Sequence, residues 1–121
     1  MLTFDHLSKT YADGTRALSG IDISVAAGEI LALVGGSGCG KTTLLRLVAG
    51  LDRPSEGRIL LDDAAITEPR ADVGVIFQEP RLLPWLSVAD NAGFGLSHLP
   101  ATERNRLVTG ALARVGLAGY E

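Results

Sequence analysis

Gly35-Gly36-Ser37-Gly38-Cys39-Gly40-Lys41-Thr42 has the spacing G-x-x-x-x-G-K-[ST], and its reading decides the fold. The run before it, Glu29-Ile30-Leu31-Ala32-Leu33-Val34, is apolar almost throughout, as a strand buried on both faces of a parallel sheet should be. The run after it, from Thr43 to Ala49, contains no helix breaker, and Gly50 stands where a left-handed C-terminal cap is needed. The four glycines of the loop let successive backbone N–H groups converge, with the positive end of the helix dipole, on phosphate oxygens. Lys41 adds a full charge on a flexible stem, and the Thr42 hydroxyl suits the Mg2+ that accompanies a nucleoside triphosphate. The plainer alternative is a glycine-rich turn with a chance Lys-Thr; the strand-like and helix-like flanks favour the phosphate loop.

With 121 residues, 46% of them hydrophobic and 21% charged, the chain has the make-up of one small globular domain. A net charge of -3 without a basic cluster argues against nucleic acid as the main partner. Cys39 is the single cysteine, so an intramolecular disulfide is impossible and a reducing compartment is the simpler expectation. In the loop it reads as a small filler before it reads as a redox sensor. No apolar run reaches the ~18 residues of a membrane span, and Met1 to Thr10 lacks a charged, apolar leader, so a soluble protein is expected.

Outward from the loop, Leu2, Phe4 and Leu7 begin an edge-like strand, and Asp13-Gly14 signals a hairpin. Arg16-Ala17-Leu18 can pair back on that strand, while Ile21, Ile23 and Val25 alternate with Asp22 and Ser24 as a half-buried strand does. Leu18-Ser19-Gly20 between them reads as a turn. Pro54-Ser55-Glu56-Gly57 is a second turn, and Arg58 to Leu61 a short strand ending in Asp62-Asp63. Val73-Gly74-Val75-Ile76-Phe77 is the second apolar, β-branched run and reads as another core strand, with Gln78 after it. Pro80 and Pro84 keep the next stretch out of helix until Ser87 offers an N-cap for a helix from Val88 to about Phe94. Pro100 opens a last helix whose stripe is Leu107, Val108, Ala111, Leu112 and Val115, with Gly116 as its cap.

Tyr11, the Gly-Gly-Ser-Gly-Cys-Gly-Lys-Thr-Thr loop and Val-Ile-Phe-Gln-Glu-Pro, in that order, together resemble the ATP-binding subunit of an ABC transporter. The resemblance covers essentially the whole chain. The stretch from Gln78 through Leu83-Pro84-Trp85 to Asn91 is similar to the subgroup that energises import of nitrate, sulfonates and taurine. It implies an α/β phosphate-loop NTPase with a parallel core sheet, an N-terminal antiparallel β subdomain and the start of a helical subdomain. Residues 1–86 would form the β subdomain and core, and residues 87–121 the helical start. By the same resemblance Tyr11 stacks on adenine, Gly35, Gly36, Ser37, Gly38, Cys39, Gly40, Lys41 and Thr42 hold phosphates, and Thr43 supports the α phosphate. Thr42 and Gln78 are the Mg2+ ligands it implies, and Lys41 and Gln78 the catalytic pair. The implied cofactors are ATP and Mg2+. The implied partners are a transmembrane permease subunit, met through residues 79–86 at the cytoplasmic face of the membrane, and a second ATP-binding subunit.

The departures matter as well. The Leu-Ser-Gly-Gly-Gln signature, the apolar strand ending in Asp-Glu and the switch histidine of complete members do not occur, so the chain is expected to be an N-terminal part that does not hydrolyse ATP by itself. Ile59 to Asp63 has the look of a strand ending in magnesium-binding carboxylates, but the preceding turn and its shortness make a hairpin end the better reading. A free-standing nucleotide-binding module and a small kinase using Asp62 or Asp63 remain alternatives. His6 and His98 are assigned to neither a metal nor a switch.

Overall fold

Phe4 and Leu7 are three residues apart, a spacing that strict strand alternation would send to opposite faces. In the computed structural model, which describes all 121 residues, both are nonetheless buried. The register of β1 (Leu2–Thr10) slips between them, at His6, whose φ of 48° marks a bulge. The backbone N–H that the bulge frees donates to Asp22 Oδ1 at 2.7 Å, so the irregularity leaves no orphaned donor.

β1 pairs antiparallel with β2 (Arg16–Val25) through a turn in which Gly14 takes φ 88° and Asp13 Oδ1 accepts the Thr15 N–H. Leu18-Ser19-Gly20 lies inside β2 and is not a turn before it; the register shifts of the β1–β2 ladder absorb the irregularity, with Gly20 at φ 57°. On its other side β1 pairs antiparallel with β3 (Glu56–Leu61), and β3 with the two-residue β4 (Ala64–Ala65), giving the order β2-β1-β3-β4. Asp62 and Asp63, at φ 49° and 65°, make the two-residue turn between β3 and β4, the hairpin end expected for them.

One face of this sheet carries α1 (Lys41–Val48). Phe4, Leu7, Leu18 and Ile59 from the sheet meet Leu44 and Leu47 from the helix, with Ile66 alongside. Fully burying each such side chain contributes about 1.5–3 kcal/mol. Gly50 stops the helix at φ 71°, and the bonds Leu51 N–H to Arg46 C=O and Gly50 N–H to Leu47 C=O close it as a Schellman cap.

The α/β phosphate-loop class stands, but residues 29–34 and 73–77 differ from the expected parallel ladder. Every ladder present is antiparallel, and neither run is in it. Ile30, Val34 and Ile76 are 93%, 94% and 99% exposed; Leu33 alone of the first run packs against the core. A buried parallel strand needs a neighbour on each side, and no segment of this chain supplies one.

Two units divide the chain, Met1–Ile76 and Phe77–Glu121. In the second, Ser87 caps α2 (Val88–Ala92) by accepting the Asp90 N–H at 3.0 Å. The helix stops short of Phe94, at Gly93, and a 3-10 turn follows over Phe94–Leu96. α3 (Ala101–Arg114) starts after Pro100, and Gly116 follows its end at φ 77°. Of its apolar stripe only Val108 and Leu112 are buried; Val115 is exposed because a single short helix cannot cover the whole face. No helix is long and apolar enough to cross a membrane.

Candidate functional site

The phosphate-loop residues run from Val34, at the end of the unpaired apolar run, into the first turn of α1. Gly38 and Gly40 take φ 78° and 93°, which turns the backbone into the helix in a conformation that L side chains avoid. Gly40 also lies close against the sheet: a Cβ there would fall 2.5 Å from the Ala17 carbonyl oxygen and 3.0 Å from Leu18 Cδ2. Around Gly36 and Gly38 there is open space. The first bond at the start of α1 is Leu44 N–H to Gly40 C=O at 2.9 Å, so the N–H groups of Lys41, Thr42 and Thr43 precede it at the positive end of the helix dipole. No acidic residue occupies that first turn, and Arg46 sits in the last, a distribution that suits an anion at the N-terminus.

Lys41 folds back over the loop. Its ammonium donates to the carbonyl oxygens of Gly35 and, at 3.0 Å, Gly36, and lies 3.4 Å from Cys39 Sγ. Carbonyl oxygens are weak partners for an ammonium compared with phosphate, so the same side chain is ready to exchange them. Desolvation works against ionising the Cys39 thiol. The Lys41 backbone N–H and ammonium outweigh it, and the thiol is held below its ordinary value.

Thr43 is buried, and its hydroxyl meets the Tyr11 hydroxyl at 2.9 Å. This bond brings the aromatic ring of Tyr11 beside the loop although 32 residues separate the pair in sequence. Thr42, next to it, is exposed.

Gln78 belongs to the second unit and is exposed, as are Glu79, Pro80, Arg81, Leu82, Pro84 and Trp85. What shapes this stretch is a residue that sequence reasoning missed. The Asn91 side chain accepts the Leu83 N–H at 2.8 Å and donates to the carbonyls of Leu83, Leu86 and Ser87 at 3.1, 3.3 and 2.9 Å. With its backbone fixed from within, the stretch holds Leu82 72% and Trp85 75% exposed. Lys9 and Asp52, which meet beside Tyr11, were also missed, because a strand lysine and a loop aspartate carry no motif.

A glycine loop that ends in Lys-Thr at a helix N-terminus, with an aromatic ring tied beside it, defines a phosphate-loop nucleotide-binding protein. The chain matches the ABC transporter family over residues 18–121 and belongs to it. It is 56% identical over 111 residues to the aliphatic sulfonates import ATP-binding protein SsuB 2 of Burkholderia cenocepacia, covering 92% of this chain and 40% of that one. It is 46% identical over 110 residues to the taurine import ATP-binding protein TauB of Yersinia pestis, covering 89% and 43%. Among solved structures, the dimeric post-hydrolysis ATP-binding cassette MJ0796 bound to ADP and Pi superposes with a TM-score of 0.85 at 25% identity, over 100% of this chain and 61% of that one. The cbiO1 protein of Clostridium perfringens, part of the transporter complex cbiONQ, follows at 0.81 and 36%, over 98% and 51%. The chain thus spans well under half the length of these import proteins.

Proposed function

We propose that this chain is part of the ATP-binding subunit of an importer of small anions, such as aliphatic sulfonates, taurine or nitrate, and that the whole protein couples ATP binding and hydrolysis to uptake. The observation that carries the reading is the loop itself: Lys41 lies over the carbonyls of Gly35 and Gly36 at the N-terminus of an acid-free helix turn. The identities to sulfonate and taurine import proteins support the solute class. The fit to ATP rests on chemistry within the first unit. Gly35, Gly36, Ser37, Gly38, Cys39 and Gly40 supply a backbone cradle that is open around Gly36 and Gly38, Lys41 a movable charge, and Thr42 and Thr43 hydroxyls at the start of the helix. Tyr11 offers a flat aromatic face to the adenine. Mg2+ neutralises phosphate charge when it is bound, and Thr42 is the oxygen donor the first unit would give it. Gln78, in the second unit, carries the amide that the family reading assigns to the metal and the attacking water, a group able both to accept and to donate.

Residues 79–86 form the surface for a membrane-embedded permease subunit at the cytoplasmic face. Leu82 and Trp85 stand in solvent on a stretch that Asn91 holds still, which is the state expected of a contact made with another chain. The unpaired runs 29–34 and 73–77 gain their parallel neighbours from sequence outside these 121 residues, and a second ATP-binding subunit faces the nucleotide. Deleting the gene should abolish growth of the source organism on an aliphatic sulfonate or taurine as sole sulfur source. The parent gene should restore it and the Lys41→Ala gene should not; restoration by Lys41→Ala would refute the reading.

A further inference from the structure

Lys9 stands near the end of β1, in register with Leu18. Its ammonium donates to Asp52 Oδ1 at 3.0 Å and to the Arg53 carbonyl at 2.8 Å, and it lies 5.2 Å from the centre of the Tyr11 ring. The Lys9 and Asp52 side chains are only 13% and 26% exposed, so this ion pair is largely out of water. The Lys9 ammonium, and then the Arg53 backbone N–H, hold the Asp52 carboxyl below its ordinary value, so the partner charge is permanent at neutral pH. Asp52 follows directly on the Schellman cap of α1, while Thr43, which meets the Tyr11 hydroxyl at 2.9 Å, lies in the first turn of the same helix. Tyr11 is therefore braced at two points against the helix that carries the loop: its hydroxyl at the N-terminal end and, through Lys9 and Asp52, one ring face at the C-terminal end.

A ring so held has one face taken by a cation and one face left. The cation draws π density toward itself and leaves the opposite face poorer in electrons, which strengthens stacking with an electron-rich purine. We propose that Lys9 is a positioning residue for base recognition: anchored by Asp52, it fixes the plane of Tyr11 and blocks one side of it, so that a single purine stacks on the other. The inference rests on the reading of the loop as an ATP site. It assigns Lys9 no contact with the nucleotide.

The test uses the protein as its gene encodes it, with equilibrium binding of Mg-ATP and of Mg-tripolyphosphate, which has the phosphates but no base. Lys9→Met keeps the stem and removes the charge. It should weaken Mg-ATP by up to about 10-fold, since the worth of a partly desolvated cation–π contact bounds what fixing the ring can contribute, and leave tripolyphosphate unchanged. Lys9→Arg, which restores a cation over the ring, should bring ATP back to within about 2-fold of the parent. In a Tyr11→Ala background Lys9→Met should change neither probe further. Equal losses for ATP and tripolyphosphate would overturn the inference, since Lys9 would then support only the fold. An unchanged ATP affinity would overturn it too. A parent protein that binds tripolyphosphate as tightly as ATP refutes stacking on Tyr11 and with it the role of Lys9, whereas a parent that binds neither probe refutes the ATP site itself and this inference with it.

Discussion

Alanine at Gly40 should destabilise the protein much more than alanine at Gly38, two residues away in the same loop. Both glycines have left-handed backbone, φ 93° and 78°, so alanine at either meets a conformational cost of about 1–2 kcal/mol. At Gly38 that is the whole effect, because a Cβ there meets nothing within 4 Å. At Gly40 the Cβ would stand 2.5 Å from the Ala17 carbonyl oxygen. A carbon approaches such an oxygen no nearer than about 3.3 Å, so backbone must move by roughly 0.8 Å. Ala17 is in β2, laddered to β1, and Leu18 beside it is part of the core, so the shift disturbs packed structure at about 1–3 kcal/mol. The totals are about 2–5 kcal/mol for Gly40→Ala and about 1–2 for Gly38→Ala. In urea unfolding followed by circular dichroism, with a slope of about 1–3 kcal/mol/M, the two midpoints should differ by roughly 1 M. Gly40→Ala unfolding at the same urea concentration as Gly38→Ala, or at a higher one, would refute the contact with Ala17.

Other expectations address each part of the molecule. The hydrogen bond to Asp5, then the charges of Asp22 and Asp5, raise the titration of His6 above its ordinary value. Its stabilising, protonated form is therefore fully present below the ordinary histidine value and is lost as pH rises through the higher folded-state value, so the urea midpoint should fall as pH rises above about 6.5. His6→Gln should flatten that slope, and an unchanged slope would count against the Asp5–His6–Asp22 cluster. The 121-residue chain made alone should self-associate, because Ile30, Val34 and Ile76 stand almost wholly in solvent on unpaired runs; a single monomeric species in light scattering would contradict this. Trp85→Ala should weaken pull-down of the permease subunit while changing stability by less than about 0.5 kcal/mol, as at an exposed site. Normal assembly with a loss of heat stability would make Trp85 a packing residue.

What the sequence made legible was local. The loop, its helix, the Gly50 cap, the Asp13-Gly14 hairpin and the Ser87 cap each depend on residues within a few positions of one another, and each is found where it was expected. Residues 29–34 and 73–77 differ in kind. Their apolar pattern reports a demand for burial, not whether a partner strand is at hand, and here, apart from the part-buried Leu33 and Val73, they lie exposed and outside the ladders. The His6 bulge was hidden because it breaks the alternation by which strands are read. Lys9 and Asp52 are 43 residues apart and Tyr11 and Thr43 are 32 apart, so the bracing of the tyrosine exists only once β1 and α1 have packed. The Asn91 clamp was equally silent, an ordinary polar residue in a helix until its four hydrogen bonds are seen.

Equilibrium binding of Mg-ATP to the parent protein and to Lys41→Ala tests the nucleotide site most directly. Lys41 brings the loop's only full positive charge, and loss of its charged hydrogen bonds should weaken Mg-ATP by about 10- to 100-fold. AMP, which lacks the outer phosphates, should lose much less. Equal affinities of parent and variant for Mg-ATP would contradict the assignment of this loop as the triphosphate site.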